Sequence, residues 1–317
     1  MADLKRDPNK LVGLGFYHLN PRWTSFNTFD WMVDRGYINS VIGNLDNLGN
    51  VYGATEKMAE VGGQVWLNTP AFYSAKESLS DYMGNMAKKM NSLKEKSVYE
   101  TIVGFHWDEP LLHKPHTNSD LLAMTKALYE EYGLRNYPVF SSQEVLGQKG
   151  NWDDPDGMLI LESEATQYLT DIGFDSYGYD YRTPSTQTMQ NKLVQMHERF
   201  PEITDTASYY RFMFNKLKDR VVNKEAKVWV YPCAYSCYTW AGITSDEDYC
   251  IAHLKGMTDL LFEQEHMGGI HLYTFKTWTR SQPSMDVHLD KDNPNRWEKF
   301  EQALRDTYDR INNIEVK

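Results

Sequence analysis

The sequence TIVGFHWDEP, residues 101–110, joins a short apolar run to two adjacent carboxyls and a proline. Val, Ile, Phe and Trp are frequent in β-strands, and an apolar run of this length, ended by a turn signal, is typical of a strand. Asp108 and Glu109 stand where this strand is expected to end, because Pro110 follows them and Asp and Pro favour turns. The segment is therefore predicted to be a strand followed by a turn that carries two acids.

Similar apolar segments recur along the chain and alternate with segments of helical periodicity. The eight strand candidates are residues 11–19, 39–45, 63–69, 101–107, 137–142, 172–179, 227–233 and 269–275. The helical signals are the periodic segments 74–96, 118–132 and 296–311, together with a capping-box pattern at Ser245 that opens a further helix.

Eight strands that alternate with helices predict an α/β fold, a single (β/α)8 barrel that spans residues 1–317 as one domain. A doubly wound sheet is the alternative. It lacks support, because no G-x-G-x-x-G follows the first strand candidate and no phosphate-binding loop sequence occurs. In the barrel, the segment before Asp108 and Glu109 is the fourth strand.

The composition limits the kind of ligand. The net charge of -11 disfavours nucleic acid and anionic membranes, which attract basic proteins. No apolar run of membrane-spanning length is present. The 9 Trp and 21 Tyr residues fit either ordinary packing or stacking against sugar rings, and the composition alone favours ordinary packing.

The chain start and the cysteines bear on the compartment. The first residues, MADLKRDPNK, have no apolar segment and do not form a signal peptide. A leader ahead of this start would be compatible with secretion or the cell surface, which we expect in preference to the cytoplasm. The cysteines, Cys233, Cys237 and Cys250, are too few and too isolated for a disulfide framework or a zinc site, so we expect reduced structural thiols.

The position of the two acids has two interpretations. Asp and Pro are common in strand-to-helix turns, so the pair is compatible with a plain turn. In a (β/α)8 barrel, however, the active site is built at the carboxyl ends of the strands. Asp108 and Glu109 then lie where catalytic groups are expected.

An acidic pair after the fourth strand of such a barrel resembles the glycoside hydrolases. In one large group of retaining enzymes, an Asn-Glu-Pro motif supplies the acid/base and a second Glu ends the seventh strand. This chain has Asp108 in place of the Asn, and its segment 227–240, KVWVYPCAYSCYTW, has no carboxylate. The sequence is more similar to the β-N-acetylhexosaminidases that carry an Asp-Glu pair after strand four.

That resemblance implies substrate-assisted catalysis, in which the 2-acetamido oxygen of the substrate acts as the nucleophile. It implies that Glu109 protonates the glycosidic oxygen and that Asp108 orients the acetamido group. Adjacent residues of an extended segment point in different directions, which lets the two acids take separate roles. Two neighbouring carboxyls also repel each other when both are ionised, which favours a proton on one of them.

Polar and aromatic side chains near the other strand ends are candidates for binding the ligand. The resemblance implies a Tyr that donates to the acetamido carbonyl, here Tyr177 or Tyr179, and Trp278 is the preferred stacking platform. The candidate binding residues are Tyr17, Asn68, His106, Asp175, Tyr177, Tyr179, Tyr231, Tyr235, Trp240, Tyr273 and Trp278.

Three alternatives stay open. A two-carboxylate glycosidase would keep Glu109 as acid/base and use Asp175 or Glu144 as the second carboxylate. A barrel that only binds glycans would need the aromatic residues without the acids. A metal site with His106 and its neighbours His113 and His116 has no known ligand spacing, and no G-x-S-x-G nucleophile elbow occurs.

The expected partner is an oligosaccharide or glycoconjugate, with no cofactor and no metal. The acidic net charge favours a neutral or basic glycan over a polyanionic one. Open aromatic flanks favour an extended groove and endo action over exo action.

Overall fold

We describe a computed structural model of the chain. The residues that it describes are 7–16, 26–69, 78–111, 117–141, 144–145, 161–175, 194, 197–198, 200–232, 234, 237–239, 242–245, 247–273, 285–290, 292–294 and 296–313. Statements on structure below concern these residues.

The chain forms an eight-stranded, all-parallel sheet rolled into a barrel, which confirms the predicted fold class. In chain order the strands are β1 Gly13–Phe16, β2 Ser40–Asn44, β3 Gln64–Asn68, β4 Ile102–Asp108, β5 Arg135–Ser141, β6 Asp171–Asp175, β7 Lys227–Tyr231, β8 Cys237–Thr239, β9 Gly242–Ser245 and β10 Met267–Leu272. The barrel order is β1-β10-β7-β6-β5-β4-β3-β2, while β8 and β9 form a separate antiparallel hairpin.

Helices connect the strands, as a parallel sheet requires. They are α1 Phe26–Asp34, α2 Leu48–Val61, α3 Leu79–Lys96, α4 Asn118–Tyr132, α5 Thr206–Arg220, α6 Glu247–Phe262, α7 Met285–His288 and α8 Glu298–Asn312, with short 3₁₀ turns at Pro8–Lys10, Tyr99–Thr101 and Ser163–Thr166. The predicted helical segment 118–132 is confirmed as α4, which ends at Gly133, because Gly133 is left-handed and its N–H donates to the carbonyl of Tyr129 at 2.9 Å.

Asn39 closes the barrel between β1 and β2, which do not pair as a regular ladder. The backbone N–H of Asn39 donates to the carbonyl of Leu14 at 2.9 Å. Its side-chain oxygen accepts from the N–H of Leu14 at 2.6 Å, and its side-chain nitrogen donates to the carbonyl of Val12 at 3.2 Å. A side-chain amide thus satisfies backbone groups that would otherwise lie at two open sheet edges.

Large aromatic rings fill the barrel interior. Trp66 lies edge-on to Trp229 at 5.4 Å between ring centroids, and Tyr137 stacks on Trp229 at 4.7 Å. Close approach of these rings requires glycine on facing strands. A Cβ at Gly13 would lie 2.5 Å from the Trp229 ring, and one at Gly104 would lie 2.6 Å from the Trp66 ring.

The element boundaries correct several predictions. β5 begins at Arg135, two residues earlier than predicted, because Arg135 is paired inside the barrel wall and is not a loop residue. β7 ends at Tyr231 and β10 at Leu272, each before its predicted end. Ser245 is the last residue of β9 and α6 is described from Glu247, so the capping box predicted at Ser245 falls partly on Asp246, outside the described residues.

Two further observations concern membrane-spanning helices and the cysteines. No helix in the described part of the chain has the length and apolar character needed to cross a bilayer. Cys250 is buried in α6 and forms no disulfide.

Candidate active site

Asp108 is the last residue of β4 and lies at the carboxyl end of the barrel. Its register partner on β5 is Val139. Side chains two apart on a strand share a face, so Asp108 faces the same way as His106, which contacts other strands across the barrel interior. Asp108 is only partly buried, which places its carboxylate at the barrel mouth.

Glu109 leaves the strand with a left-handed backbone, which corrects the expectation that Asp108 and Glu109 share an extended segment. Its φ of +40° is the only positive value at a non-glycine position among the described residues. Such a conformation is uncommon for a residue with a Cβ, and Pro110 restricts it further. The side chain of Glu109 is 3% exposed, so this carboxyl is nearly enclosed.

Hydrogen bonds on both sides hold the turn at Glu109. The N–H of Glu109 donates to the carbonyl of Val139 at 3.0 Å. The N–H of Leu111 donates to Oε1 of Glu144 at 2.7 Å, and the Leu111 side chain is fully buried. Both acceptors belong to β5 or to the turn after it, so β5 fixes the turn that follows β4.

Glu144 also bonds to the end of its own strand. Its Oε2 accepts from the N–H of Ser141 at 2.8 Å and lies 3.1 Å from the Ser141 hydroxyl. The N–H of Glu144 in turn lies 3.5 Å from the same hydroxyl. Ser141 and Glu144 thus make the reciprocal contacts of a capping box, with Ser141 as the cap and Glu144 three residues after it.

Burial dominates the electrostatics of Glu144, whose side chain has no solvent exposure. Desolvation and then the nearby charge of Glu109 raise the pKa of Glu144 to about 8, against the lowering effect of its hydrogen bonds to Ser141 and Leu111. At neutral pH Glu144 is therefore mostly protonated, and Glu109 has a neutral carboxyl beside it.

A chain of buried polar side chains crosses the barrel below this site. His106 Nε2 lies 2.8 Å from the Tyr231 hydroxyl, which lies 3.3 Å from Nδ1 of His271. Nε2 of His271 lies 2.9 Å from the Ser40 hydroxyl. Burial and then the neighbouring His106 hold the pKa of His271 well below its usual range, so this imidazole stays neutral.

The structure places some of the predicted binding residues and not others. Asn68 ends β3 beside His106 and is buried, and Asp175 ends β6 in register with Tyr231. Tyr273 follows β10 and is half-buried. His106 and Tyr231 lie together in the buried chain of polar groups described above. The remaining candidates, Tyr17, Tyr177, Tyr179, Tyr235, Trp240 and Trp278, lie outside the described residues, as do His113 and His116.

The sequence predicts Glu144 only as an alternative second carboxylate of a glycosidase. The spacing of Ser141 and Glu144 matches the capping-box pattern S-x-x-E, and that signal could have identified a backbone partner for this side chain. In the described part of the chain, no group of three or more His, Cys, Asp or Glu side chains is arranged to hold a metal ion.

Comparison by sequence identifies no relative. No protein-family model matches the chain, and a search of curated proteins finds no match.

Comparison by structure finds barrels of similar shape at low identity. GH5_18 from Streptomyces cattleya, in complex with GlcNAc, has a TM-score of 0.61 and 11% identity over 97% of this chain and 82% of its own. The β-glucuronidase from Ruminococcus gnavus has a TM-score of 0.56 and 11% identity, and the match covers 95% of this chain and 49% of that one.

A β-glucosidase from Exiguobacterium marinum has a TM-score of 0.50 and 9% identity over 91% of this chain and 87% of its own. At these identities the likeness concerns the fold. The chain has the (β/α)8 barrel that these glycosidases also have.

Proposed function

We propose that the protein is a retaining glycoside hydrolase that cleaves a 2-acetamido-hexoside linkage by substrate-assisted catalysis. Glu109 is the general acid/base in this proposal, and Asp108 orients the acetamido group. The substrate is an oligosaccharide or a glycoconjugate.

One observation carries the proposal. Asp108 ends the fourth strand and Glu109 directly follows it at the carboxyl end of the barrel, and Glu109 has a strained, left-handed backbone. Strained conformations persist where the surrounding structure enforces them, and they are concentrated at functional sites. A plain turn would not need a left-handed glutamate before a proline.

The chemistry requires a proton donor and a nucleophile. Glu109 would protonate the departing glycosidic oxygen while the acetamido oxygen attacks the anomeric carbon, and Asp108 would accept the acetamido N–H and stabilise the positive charge that develops there. A water molecule activated by Glu109 would then open the ring intermediate. The segment 227–240 around β7 contains no Asp or Glu, which agrees with a nucleophile supplied by the substrate.

The comparisons support the proposal at two levels. The similar barrels are named as glycosidases, and one of them is described in complex with GlcNAc, a 2-acetamido sugar. Among the described candidates for binding the sugar, Asn68 ends β3 and Tyr273 directly follows β10.

The test compares aryl β-glycosides of N-acetylglucosamine and glucose. The β-configured substrate is needed because the acetamido group must attack from the face opposite the leaving group. We expect turnover of the first substrate only. Glu109→Gln should lower its kcat by about 10²–10⁴-fold, the usual contribution of general acid–base catalysis. Asp108→Asn should lower kcat and weaken binding of a thiazoline that mimics the cyclic intermediate.

Other outcomes would point elsewhere. Equal rates on the two sugars would exclude substrate assistance and favour a carboxylate nucleophile, for which Asp175 at the end of β6 is the candidate. Glu144 is unsuited to that role, because it is fully buried, mostly protonated at neutral pH and bonded to backbone N–H groups through both oxygens. Glycan binding without turnover in the wild type would favour a binding barrel.

A further inference from the structure

We propose that Glu144 is a positioning residue for the general acid, because it holds the turn at Glu109 in its left-handed conformation through the N–H of Leu111. This inference rests on the proposed function. It assigns to Glu144 a role in which its side chain never touches the substrate.

The first step is the strain at Glu109. A non-glycine residue at φ +40°, followed by proline, is less stable than an extended one. Contacts that exist only in the strained conformation must offset this cost. The direction of the Glu109 carboxyl therefore depends on what holds the backbone of residues 109–111.

The second step is the set of contacts that hold it. Upstream, the N–H of Glu109 bonds to the carbonyl of Val139 in β5, which continues the ladder between the strands. Downstream, Pro110 has no N–H, so Leu111 has the next available donor. That donor bonds to Glu144 at 2.7 Å, and the fully buried Leu111 side chain anchors the same residue.

The third step separates this contact from helix capping. In the capping box of α4, Asp120 accepts from both the N–H and the hydroxyl of Thr117 through a single oxygen, and these contacts stay within the start of its own helix. Glu144 uses Oε2 in the same way for Ser141, and it uses Oε1 for Leu111 on the neighbouring turn. The second oxygen is an addition that capping does not require.

The fourth step concerns charge. Among the described residues, no Lys or Arg side chain pairs with Glu144, although Glu109 lies close enough to act on it electrostatically. A cation there would attract the Glu109 carboxylate, whereas a neutral hydrogen-bonded carboxyl fixes the turn without that attraction. The raised pKa of Glu144 agrees with this neutral role.

The test measures how strongly each variant depends on proton donation to the leaving group. A 2,4-dinitrophenyl group leaves as a stable anion and needs little protonation, whereas a phenyl group needs a proton. For 2,4-dinitrophenyl and phenyl N-acetyl-β-glucosaminides, the ratio of the two kcat/KM values, called here the leaving-group ratio, reports on the acid. Glu144→Leu removes both acceptors and replaces them with an apolar side chain of similar size, and Glu144→Gln keeps one acceptor oxygen.

We expect Glu144→Leu to raise the leaving-group ratio by at least about 10-fold over the wild type, because kcat/KM on the phenyl substrate falls selectively. Glu144→Gln should raise the ratio less, by about 3-fold, because it keeps one acceptor. The matched control is Asp120→Ala, which removes a capping box at the same end of the barrel and should leave the ratio unchanged. An unchanged ratio in both Glu144 variants overturns the proposal. If Glu144→Leu does not fold, the result for Glu144→Gln decides.

Glu109→Gln keeps this outcome distinct from failure of the proposed function. If Glu109→Gln raises the ratio and the Glu144 variants do not, only the positioning role is wrong. If Glu109→Gln leaves the ratio unchanged, Glu109 is not the acid, and the proposed function fails before the role of Glu144 arises.

Discussion

Both ends of the barrel contain buried carboxyl groups. The partners of the carboxyl group are cationic at one end and neutral at the other. At the floor, formed by the amino ends of the strands, Asp171 is the first residue of β6 and is fully buried. Arg135, the first residue of β5, donates two guanidinium N–H groups to the carboxylate of Asp171, one of them at 2.8 Å. The indole N–H of Trp229 and the hydroxyl of Thr170 each donate to it at 2.8 Å.

At the mouth, Glu109 and Glu144 are buried near each other, and Asp108 directly precedes Glu109 in the chain. The partners of Glu144 are two backbone N–H groups and a hydroxyl, all of them neutral. Within the described residues, the mouth thus collects carboxyl groups without an opposing cation at Glu144, whereas the floor pairs its carboxylate directly with one.

The perturbed groups at the two ends reflect this difference. At the floor the perturbed group is a base, since burial and then Arg135 lower the pKa of Lys227 to about 8. At the mouth it is an acid, since burial and Glu109 raise the pKa of Glu144 to about 8. The ion pair of Arg135 and Asp171 stabilises the wall of the barrel. Carboxyl groups that lie together without a cation, as at the mouth, are typical of sites that transfer protons.

The largest expected effect comes from breaking the floor. Arg135→Met leaves the buried carboxylate of Asp171 without its cation, and removing one partner of a buried pair usually costs about 3–5 kcal/mol. We expect the free energy of unfolding, measured by urea denaturation, to fall by that amount. The loss should be the same with and without a bound substrate analogue.

The matched control for Arg135 is Arg211→Met. Arg211 makes an equally bidentate pair with Glu263, at 2.7 and 3.0 Å, but both side chains are about half exposed. Exposed pairs contribute about 0–1 kcal/mol, so this variant should lose little. If Arg135→Met lost no more than Arg211→Met, the floor pair would not be the structural element described here.

The next effect is a pH dependence of stability that arises at the mouth. In the unfolded chain Glu144 releases its proton near the ordinary value of 4.5, whereas the folded protein retains it to about pH 8. Between these values the unfolded state binds fewer protons, so the free energy of unfolding falls as pH rises. The part of the free energy of unfolding that depends on a protonated Glu144 is fully present below about pH 4.5 and is lost above about pH 8.

Glu144→Gln removes this titration and should flatten the curve by an amount on the order of a few kcal/mol across that range. Urea midpoints at several pH values measure it. Glu301→Gln is the control, because Glu301 is also buried but lies beside Arg296 and bonds to Tyr37. Equal pH slopes for the wild type and Glu144→Gln would show that Glu144 is not the group responsible.

The sequence predicted most of the barrel because strand centres are apolar and regular. Ile102 to Trp107 is buried throughout, as its composition required. The predicted strand starts at Tyr137 and not at Arg135, because Arg135 and Asn136 are polar and their local sequence does not indicate a strand. They belong there because Asp171 and neighbouring carbonyls, distant in sequence, bond to them.

The candidate site was predictable to the same depth. The adjacency of Asp108 and Glu109 after the fourth strand could be read from the sequence. The left-handed turn could not, because its cause is the contact between Leu111 and Glu144, residues 33 apart in sequence. That contact depends on the register of β4 against β5, which no local pattern encodes.

The smallest expected effect separates capping from positioning at the mouth. Ser141→Ala removes the hydroxyl of the capping box, for a loss of about 0.5–2 kcal/mol, and Thr117→Ala in the box of α4 should cost a similar amount. Neither substitution touches the bond between Leu111 and Glu144. Ser141→Ala should therefore lower the urea midpoint while leaving the leaving-group ratio at its wild-type value. A ratio that rises in Ser141→Ala as far as in Glu144→Leu would mean that both oxygens of Glu144 act as one unit, and that the mouth is held by the whole box.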